Sequence, residues 1–340
     1  MAYAAENMNY AKQYVNQPLQ RVNRQQPCPV CGKTDWCSFN DRIAICMRVE
    51  SNHLVPGKMG GWLHKLIETP SYYKPVETAA TVAAKASAEV CDRVYRDFLS
   101  LLSLAPYHIK ELSKHRGFTL EEIKEIGFKS LIEVKPWELC KRLIDMGYNL
   151  KGVPGFYQAP NKKGNGYYWC FNYSPGFIFP ILDKEGKIQA LQTRLDKPIG
   201  DRKYQLFSSG NKETGSSCGV PVHVAQPRIL KDKRIWVTEG ALKATILSQR
   251  VGAVVLGTVS SNTWAPVPEL LEQSFPESEI VEAYDCDKYT NRHVKTACEC
   301  FRHAITEAGM QLAEAIWNNQ YKGVDDAVLA RCEIRYKKIN

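Results

Sequence analysis

The apolar positions change their period along the chain, and the changes divide it. In VYRDFLSLLSL, starting at Val94, they recur at three- and four-residue steps, which predicts a helix that runs on to Pro106. ELSKHRGFTLEEIKEIGF predicts two short helices, the second opened by Thr119 with Glu122 three residues later, the pattern of a capping box. PWELCKRLIDMGY predicts one more. From about Val153 to Val224, glycine, aromatic and β-branched residues take over. There GFIFPILDKEGKIQALQTRL predicts a hairpin of two apolar strands around Lys184-Glu185-Gly186. From Arg234 short buried runs alternate with helical ones. IWVTE, AVVLG, EIVEAYD and QLAEAIW are predicted strands; GALKATILSQR, VPELLEQS, HVKTACECFRHAITEAG and VDDAVLARC are predicted helices. This alternation predicts a parallel sheet covered on both faces.

Upstream of these elements neither period is present. Residues 1–26, rich in Gln, Asn and Tyr, read as a flexible arm. Residues 27–68 hold four closely spaced cysteines, and residues 69–89 carry small residues and prolines without periodicity, as a linker does. The expected fold class is therefore α+β with α/β. A small N-terminal zinc ribbon and a linker precede a mixed α+β subdomain over residues 90–230 and a parallel α/β sheet over residues 231–340.

Charge and cysteine content sharpen this. The 340 residues carry 45 Lys+Arg against 36 Asp+Glu, a net charge of +9, which favours a polyanionic partner. No apolar run is long enough to span a membrane, and the polar N-terminus lacks the apolar core of a signal peptide, so a cytoplasmic location is expected. In that compartment the 12 cysteines are expected as thiols, and as metal ligands where they cluster.

Cys28-Pro-Val-Cys31-Gly is a zinc knuckle: its spacer aims two thiolates at one ion, and the glycine permits the tight turn. CSFNDRIAIC predicts a hairpin turning at Asn40-Asp41 that sets Cys37 across from Cys46. Four thiolates would close a tetrahedral structural Zn²⁺ site, with His53 or His64 as alternative fourth ligands. Lys33, Trp36, Phe39, Arg42 and Arg48 mix cations with aromatic rings, a combination that can stack bases of single-stranded nucleic acid and neutralise phosphates. Equally, Trp36 and Phe39 are suited to packing a miniature core.

A second constellation is acidic. Glu239 closes the strand IWVTE, Asp285 and Asp287 lie just past EIVEAY, and Asp325 and Asp326 follow QLAEAIW after a short loop. In an extended segment residues two apart point the same way, so Asp285 and Asp287 can face one ion. All five acids fall at or soon after the carboxyl ends of predicted parallel strands, the edge where open α/β sheets build their sites. Clustered carboxylates of this kind suit Mg²⁺ or Mn²⁺, which activate a hydroxyl and stabilise a leaving pyrophosphate.

On the motifs Val-Thr-Glu239-Gly240, Leu256-Gly257-Thr258, Tyr284-Asp285-Cys-Asp287 and Lys322-Gly323-Val-Asp325-Asp326, the chain resembles the TOPRIM domain of bacterial-type primases, topoisomerases and some nucleases. Their order and spacing look like those of the DNA primase family. HRGFTLEEIKEIGF resembles the opening of the primase catalytic core, and GFIFPILDKEGKIQALQTRL with KYQLFSS resembles its mixed strand region, so the likeness covers roughly three quarters of the chain. It implies acid–base chemistry at Glu239 and metal ligation by Asp285, Asp287 and Asp325 or Asp326. It further implies polyanion contacts at Arg194, Lys203, Lys243 and Lys288. The second cysteine pair departs from the usual two-knuckle pattern, the middle region is short, and no helicase P-loop is present.

The implied activity is synthesis of short RNA primers on single-stranded DNA from ribonucleoside triphosphates, in phage, plasmid or other mobile-element replication, with a replicative helicase as a candidate partner and no membrane partner. A metal-dependent TOPRIM nuclease and a non-catalytic DNA-binding mediator of recombination or replication are the alternatives.

Overall fold

A computed structural model describes residues 19–40, 43–51, 55, 61–66, 84–161, 163–200 and 202–340. The chain divides into two compact units, Met1–Thr78 and Ala79–Asn340. In the first, strands β1 (Gln20–Arg21), β2 (Ser38–Phe39), β3 (Ile43–Cys46) and β4 (Trp62–Lys65) form an antiparallel sheet in that order. Ser38 pairs with Ile45 and Phe39 with Ala44, the register expected of the cysteine hairpin. Its turn residues 41–42, and with them Arg42, lie outside the described residues, as does His53. So small a sheet buries few apolar side chains: Ile43, Ile45, Val55 and Leu63 make one cluster, and Val22 with Cys28, Cys37 and Cys46 the other.

The second unit begins with α1 (Ala88–Ser100), α2 (Pro106–Lys114), α3 (Leu120–Ile126), β5 (Lys129–Leu131) and α4 (Pro136–Asp145). Helix α1 ends at Ser100 instead of continuing to Pro106. That proline opens α2, where its missing N–H costs nothing. Ser87 caps α1, so residues 88 and 89 are helical where the sequence pattern gave a linker. Both arms of the capping box form in α3: Thr119 Oγ1 accepts from the Glu122 amide, and Glu122 Oε2 accepts from the Thr119 amide.

Strands β6 (Phe156–Pro160) and β7 (Tyr167–Phe171) pair with each other. Strands β8 (Gly176–Leu182), β9 (Ile188–Ile199) and β10 (Arg202–Leu206) join β5 in an antiparallel sheet of order β10-β9-β8-β5. Alternation along β8 serves both faces of this sheet. Ile178 packs with Phe98, Leu143, Phe156 and Phe171 on one side, whereas Phe177, Phe179 and Ile181 pack with Leu112, Ile123 and Leu242 on the other.

The last part contains β11 (His223–Ala225), β12 (Ile235–Glu239), α5 (Ala241–Val251), β13 (Val254–Thr258), α6 (Val267–Ser274), β14 (Ile280–Glu282), α7 (Arg292–Glu307), β15 (Leu312–Ile316), α8 (Val324–Leu329) and β16 (Arg335–Lys338). The six strands lie in the order β11-β13-β12-β14-β15-β16. The four central ones are parallel, and β11 and β16 close the two edges antiparallel. These edge strands escaped the sequence pattern: β11 is three residues long and lies upstream of residue 231, and RYKK in β16 is exposed throughout. Helices cover both faces as expected. Ile235, Val237, Leu256 and Ile280 pack with α6 and α7, while Trp236, Val255, Val281 and Ala315 pack with α5 and α8. Among the described residues no helix is long and apolar enough to cross a membrane.

One ion pair fastens the two halves of this unit. Arg250, on the last turn of α5, donates to both Glu122 carboxylate oxygens, each at 2.7 Å, and the pairing holds the Glu122 carboxyl below the usual carboxylate range. The Glu122 side chain is 7% exposed, so removing either partner strands a largely buried charge. Glu122→Ala loses the capping box and the pair together. It should cost about 3 kcal/mol, read as a lower urea midpoint with an unchanged m-value. A midpoint within experimental error of the parent would show that the pair is idle.

Candidate metal and phosphate sites

In the first unit the Cys28–Cys31 turn is closed by hydrogen bonds from the Gly32 amide to the Cys28 carbonyl and from the Cys28 amide to the Lys33 carbonyl, both 2.8 Å. Gly32 adopts the left-handed conformation that this turn needs. The hairpin delivers the other two thiols: Cys37 Sγ lies 3.8 Å from Cys31 Sγ and 4.0 Å from Cys46 Sγ. All four sulfurs fall within 4.8 Å of one another, a set that can hold a metal ion such as zinc. Amides of Arg48 and Val49 point at Cys46 Sγ, and that of Met47 at Cys37 Sγ, as donors do around thiolate ligands.

Against the burial that raises it, the Lys33 backbone and the neighbouring thiols hold Cys31 down to about 7, while burial pushes Cys37 up to about 12. His64 is not part of the cluster; its Nε2 lies 3.0 Å from the Val49 carbonyl. The aromatic residues separate: Phe39 packs against the cysteines, and Trp36 is 69% exposed. Arg48 pairs with Asp35 at 2.9 Å.

In the second unit the chain order of the parallel strands reverses between β12 and β14. The connection leaving β12 runs to β13 on one side, and that leaving β14 runs to β15 on the other. A crevice opens at such a switch point, outside the carboxyl ends of the strands. Glu239 ends β12 there, followed by Gly240 and α5. Asp285 follows β14, and Asp325 and Asp326 sit in the first turn of α8. A cavity of about 370 Å³ gathers Glu239, Asp285, Asp325 and Asp326 with Lys243 and Lys322, and with Arg116, Arg194, Lys203 and Tyr204. The Cys286 amide donates to the Lys322 carbonyl at 2.9 Å, which ties the two acidic loops together.

Not every expected site residue arrives as expected. After Asp285 the chain turns into a 3-10 helix, Cys286–Tyr289, so Asp285 and Asp287 do not share the face that an extended segment would give them. Asp285 is buried and contacts Lys243; Asp287 pairs with Lys322 at 2.9 Å, while its other oxygen is buried without a partner. Asp325 is buried and Asp326 exposed.

Lys288 needs the largest correction. It is 3% exposed and points inward, at 2.8 Å from Glu282 and 2.9 Å from Glu314, which face each other across β14 and β15. It is therefore closed to a polyanion. Arg302 and the Tyr289 hydroxyl complete this internal network.

Arg116 and Lys322 were missing from the expected basic set. The signal for Arg116 was its place in HRGF, where Gly117 turns the chain just before the α3 cap. With a φ of 69°, and with the position of an added Cβ 2.5 Å from the Leu329 side-chain tip of α8, that position favours glycine. Among the described atoms the buried Nε groups of Arg116 and Arg194 have no partner, and Arg194 lies over the Tyr204 ring at 5.4 Å.

A family model described as a domain of unknown function, DUF3854, matches residues 228–334, the stretch that carries all the acids. The DNA primase of Helicobacter pylori strain J99 is 28% identical over 199 residues, 54% of this chain and 31% of that protein. The RNA polymerase domain of Mycobacterium tuberculosis primase DnaG superposes with a TM-score of 0.52 at 11% identity, covering 72% of this chain and 80% of that one. The zinc-binding and RNA polymerase domains of the Aquifex aeolicus primase give 0.50 at 13% identity, covering 97% and 84%. The chain resembles DNA primases. It spans about a third of the length of the curated relatives it matches, and the structural likenesses establish the fold alone.

Two measurements test the sites. Protein purified with zinc present should carry one equivalent of metal, and Cys46→Ser should release most of it and lower the melting temperature, read by metal analysis and thermal denaturation. Full retention would remove Cys46 from the ligand set.

The second concerns pH. Burial pushes the Glu239 carboxyl up to about 7; the Lys243 ammonium opposes this and the Asp285 charge adds to it. Between the ordinary value of 4.5 and about 7, the folded chain holds a proton that the unfolded chain has released. This contribution to stability is complete below 4.5 and is lost as pH rises through 7. Without divalent cations, melting temperatures of the parent should fall across this window more steeply than those of Glu239→Gln. Parallel curves would mean that Glu239 ionises normally.

Proposed function

We propose that this chain is a DNA primase that joins ribonucleotides into short primers on single-stranded DNA. The observation that carries the reading is the cavity at the strand switch point, lined by carboxylates together with two arginines whose buried Nε groups have no partner among the described residues, in a fold shared with primase RNA polymerase domains. Hard oxygen donors, two of them buried without partners on Asp287 and Asp325, fit a hard divalent ion. Glu239, Asp285 and Asp287, with Asp325 or Asp326, would hold it. Bound Mg²⁺ or Mn²⁺ supplies charge neutralisation at the phosphates and at the reacting hydroxyl.

The chain's own residues would do the rest. Glu239 would take a proton. Arg116, Arg194 and Lys203, which line the same cavity, would bind the phosphates of a ribonucleoside triphosphate or of the template strand. The four-cysteine unit, holding zinc, would engage the template through exposed Trp36 and neighbouring cations such as Lys33. This is the TOPRIM reading of the acidic motifs, and it gives the cavity's arginines and Lys203 a purpose that a metal site alone would not.

The test incubates the protein with single-stranded DNA, Mg²⁺ or Mn²⁺ and labelled ribonucleotides, beside Glu239→Gln. Short labelled products that fall by at least about a hundredfold in the variant are the expected outcome. Shortened DNA would identify a nuclease. DNA bound and left intact, with no product, would identify a non-catalytic mediator.

A further inference from the structure

Lys243 lies in the first turn of α5, four residues after Glu239 at the end of β12, and its ammonium is set among the acids. Nζ contacts Asp285 Oδ1 and lies 3.9 Å from Glu239 Oε1, with the side chain only 15% exposed. Against the burial that lowers it, the carboxylates of Asp285, Asp325 and Glu239 hold this ammonium above its usual value. Gly323 faces it with bare backbone: a Cβ there would fall 3.4 Å from Nζ and 2.4 Å from Asp325 Oδ1. That oxygen is the independent sign of a ligand. Asp325 is 5% exposed, lines the same cavity, and its Oδ1 has no partner. Among the described residues, the four cysteines are the group of three or more metal-binding side chains whose donors converge within 4.8 Å. The carboxylates do not converge so closely.

We propose that Lys243 is the resident cation of the acidic site, and that its ammonium would have to leave Asp285 and Glu239 for these carboxylates to hold a divalent ion. The inference rests on the metal-binding reading given above. A site of several carboxylates without a cation would be strongly self-repelling. Lysine is suited to compensating it reversibly, because its charge sits on a flexible four-carbon stem, without the fixed fork of arginine.

Displacement leaves the ammonium in need of another anion, and a phosphate in the same cavity, which Arg116 and Arg194 also line, would supply it. Divalent ion and phosphate therefore bind cooperatively, each favouring the other by the same factor. The metal site stays weakly loaded until a substrate phosphate arrives.

Mn²⁺ binding to the full chain, followed by the electron paramagnetic resonance of the free ion, tests this without any activity assay. Lys243→Met should bind Mn²⁺ at least about tenfold more tightly than the parent. Lys243→Arg, which keeps the charge, should bind no more tightly than the parent, and Asp285→Asn should lose the site. Sulfate, a tetrahedral anion that chelates Mn²⁺ weakly, should tighten binding in the parent and leave Lys243→Met unchanged. Lys243→Gln, which keeps hydrogen-bonding capacity among the acids, replaces the methionine variant if circular dichroism shows that variant unfolded.

Equal affinity in the parent and the neutral variants, with binding still lost in Asp285→Asn, overturns the displacement and leaves the metal site standing. Sulfate acting equally on both overturns the coupling to phosphate. Absence of Mn²⁺ binding in every protein overturns this proposal and the metal reading together.

Discussion

Negative charge concentrated at the carboxyl ends of adjacent parallel strands is the constraint on which the second unit depends. Parallel pairing brings Glu239, Asp285 and Asp325 to one edge, and it sets Glu282 directly beside Glu314 inside the sheet. Neither group tolerates burial without cations. The two are compensated differently. Glu282 and Glu314 are closed off by Lys288 and Arg302, a sealed network with almost no exposure at the lysine. The edge carboxylates are met by Lys243 and Lys322 at the mouth of a cavity, with one oxygen each on Asp287 and Asp325 left over. The sealed network also serves the open one. Lys288 belongs to the 3-10 turn whose first residues carry Asp285 and Asp287, so its anchorage fixes the turn from below.

The second half of the site is assembled by a contact distant in sequence. Arg250 grips Glu122 and the Gly117 carbonyl, holding α3 and the preceding turn against α5. The same turn abuts Leu329 of α8 through Gly117 and places Arg116 beside the acids. Behind it, Phe177, Phe179 and Ile181 of β8 and Leu242 and Ile246 of α5 share one apolar core. The antiparallel sheet is thus fixed to the parallel one, and Arg194 and Lys203 reach the cavity as consequences of that packing.

Much of this was legible in the residues. The alternation from IWVTE to VDDAVLARC has short buried strands and amphipathic helices of ordinary length, so the period of each segment names its type, and the acids fall where strands end. The capping box at Thr119 was legible because it is a local interaction. What stayed hidden depends on tertiary context. RYKK has no apolar face, and it becomes a strand only because β15 offers an unpaired edge. Asp285 and Asp287 were read on a straight strand, but the Lys288 anchor pulls the chain into a 3-10 turn. Lys288 itself resembled any exposed lysine beside an acidic motif; only the register that sets Glu282 against Glu314 reveals a buried demand for its charge. For the cysteines, spacing was informative at Cys28 and Cys31, while Cys37 and Cys46 needed the hairpin register.

The acids by themselves do not separate nucleotide joining from strand cleavage, since both reactions place a divalent ion beside a phosphodiester or a phosphoanhydride. The difference lies in how much phosphate must be held. Cleavage acts on a single phosphodiester within a strand, and a metal site can serve it with few additional cations. Joining must also bind a triphosphate, hold the departing pyrophosphate and keep the template in place, and these need positive charge away from the metal. Arg116, Arg194 and Lys203 bring charge to the cavity in addition to the lysines that meet the carboxylates, drawn from elements outside the parallel sheet. A cavity meant only for cleavage would have little need to recruit a second sheet. On the proposed reading, the packing of β8 against α5 and the grip of Arg250 on Glu122 hold in place the elements that bring this charge to the cavity, an arrangement that synthesis would use and cleavage would need less.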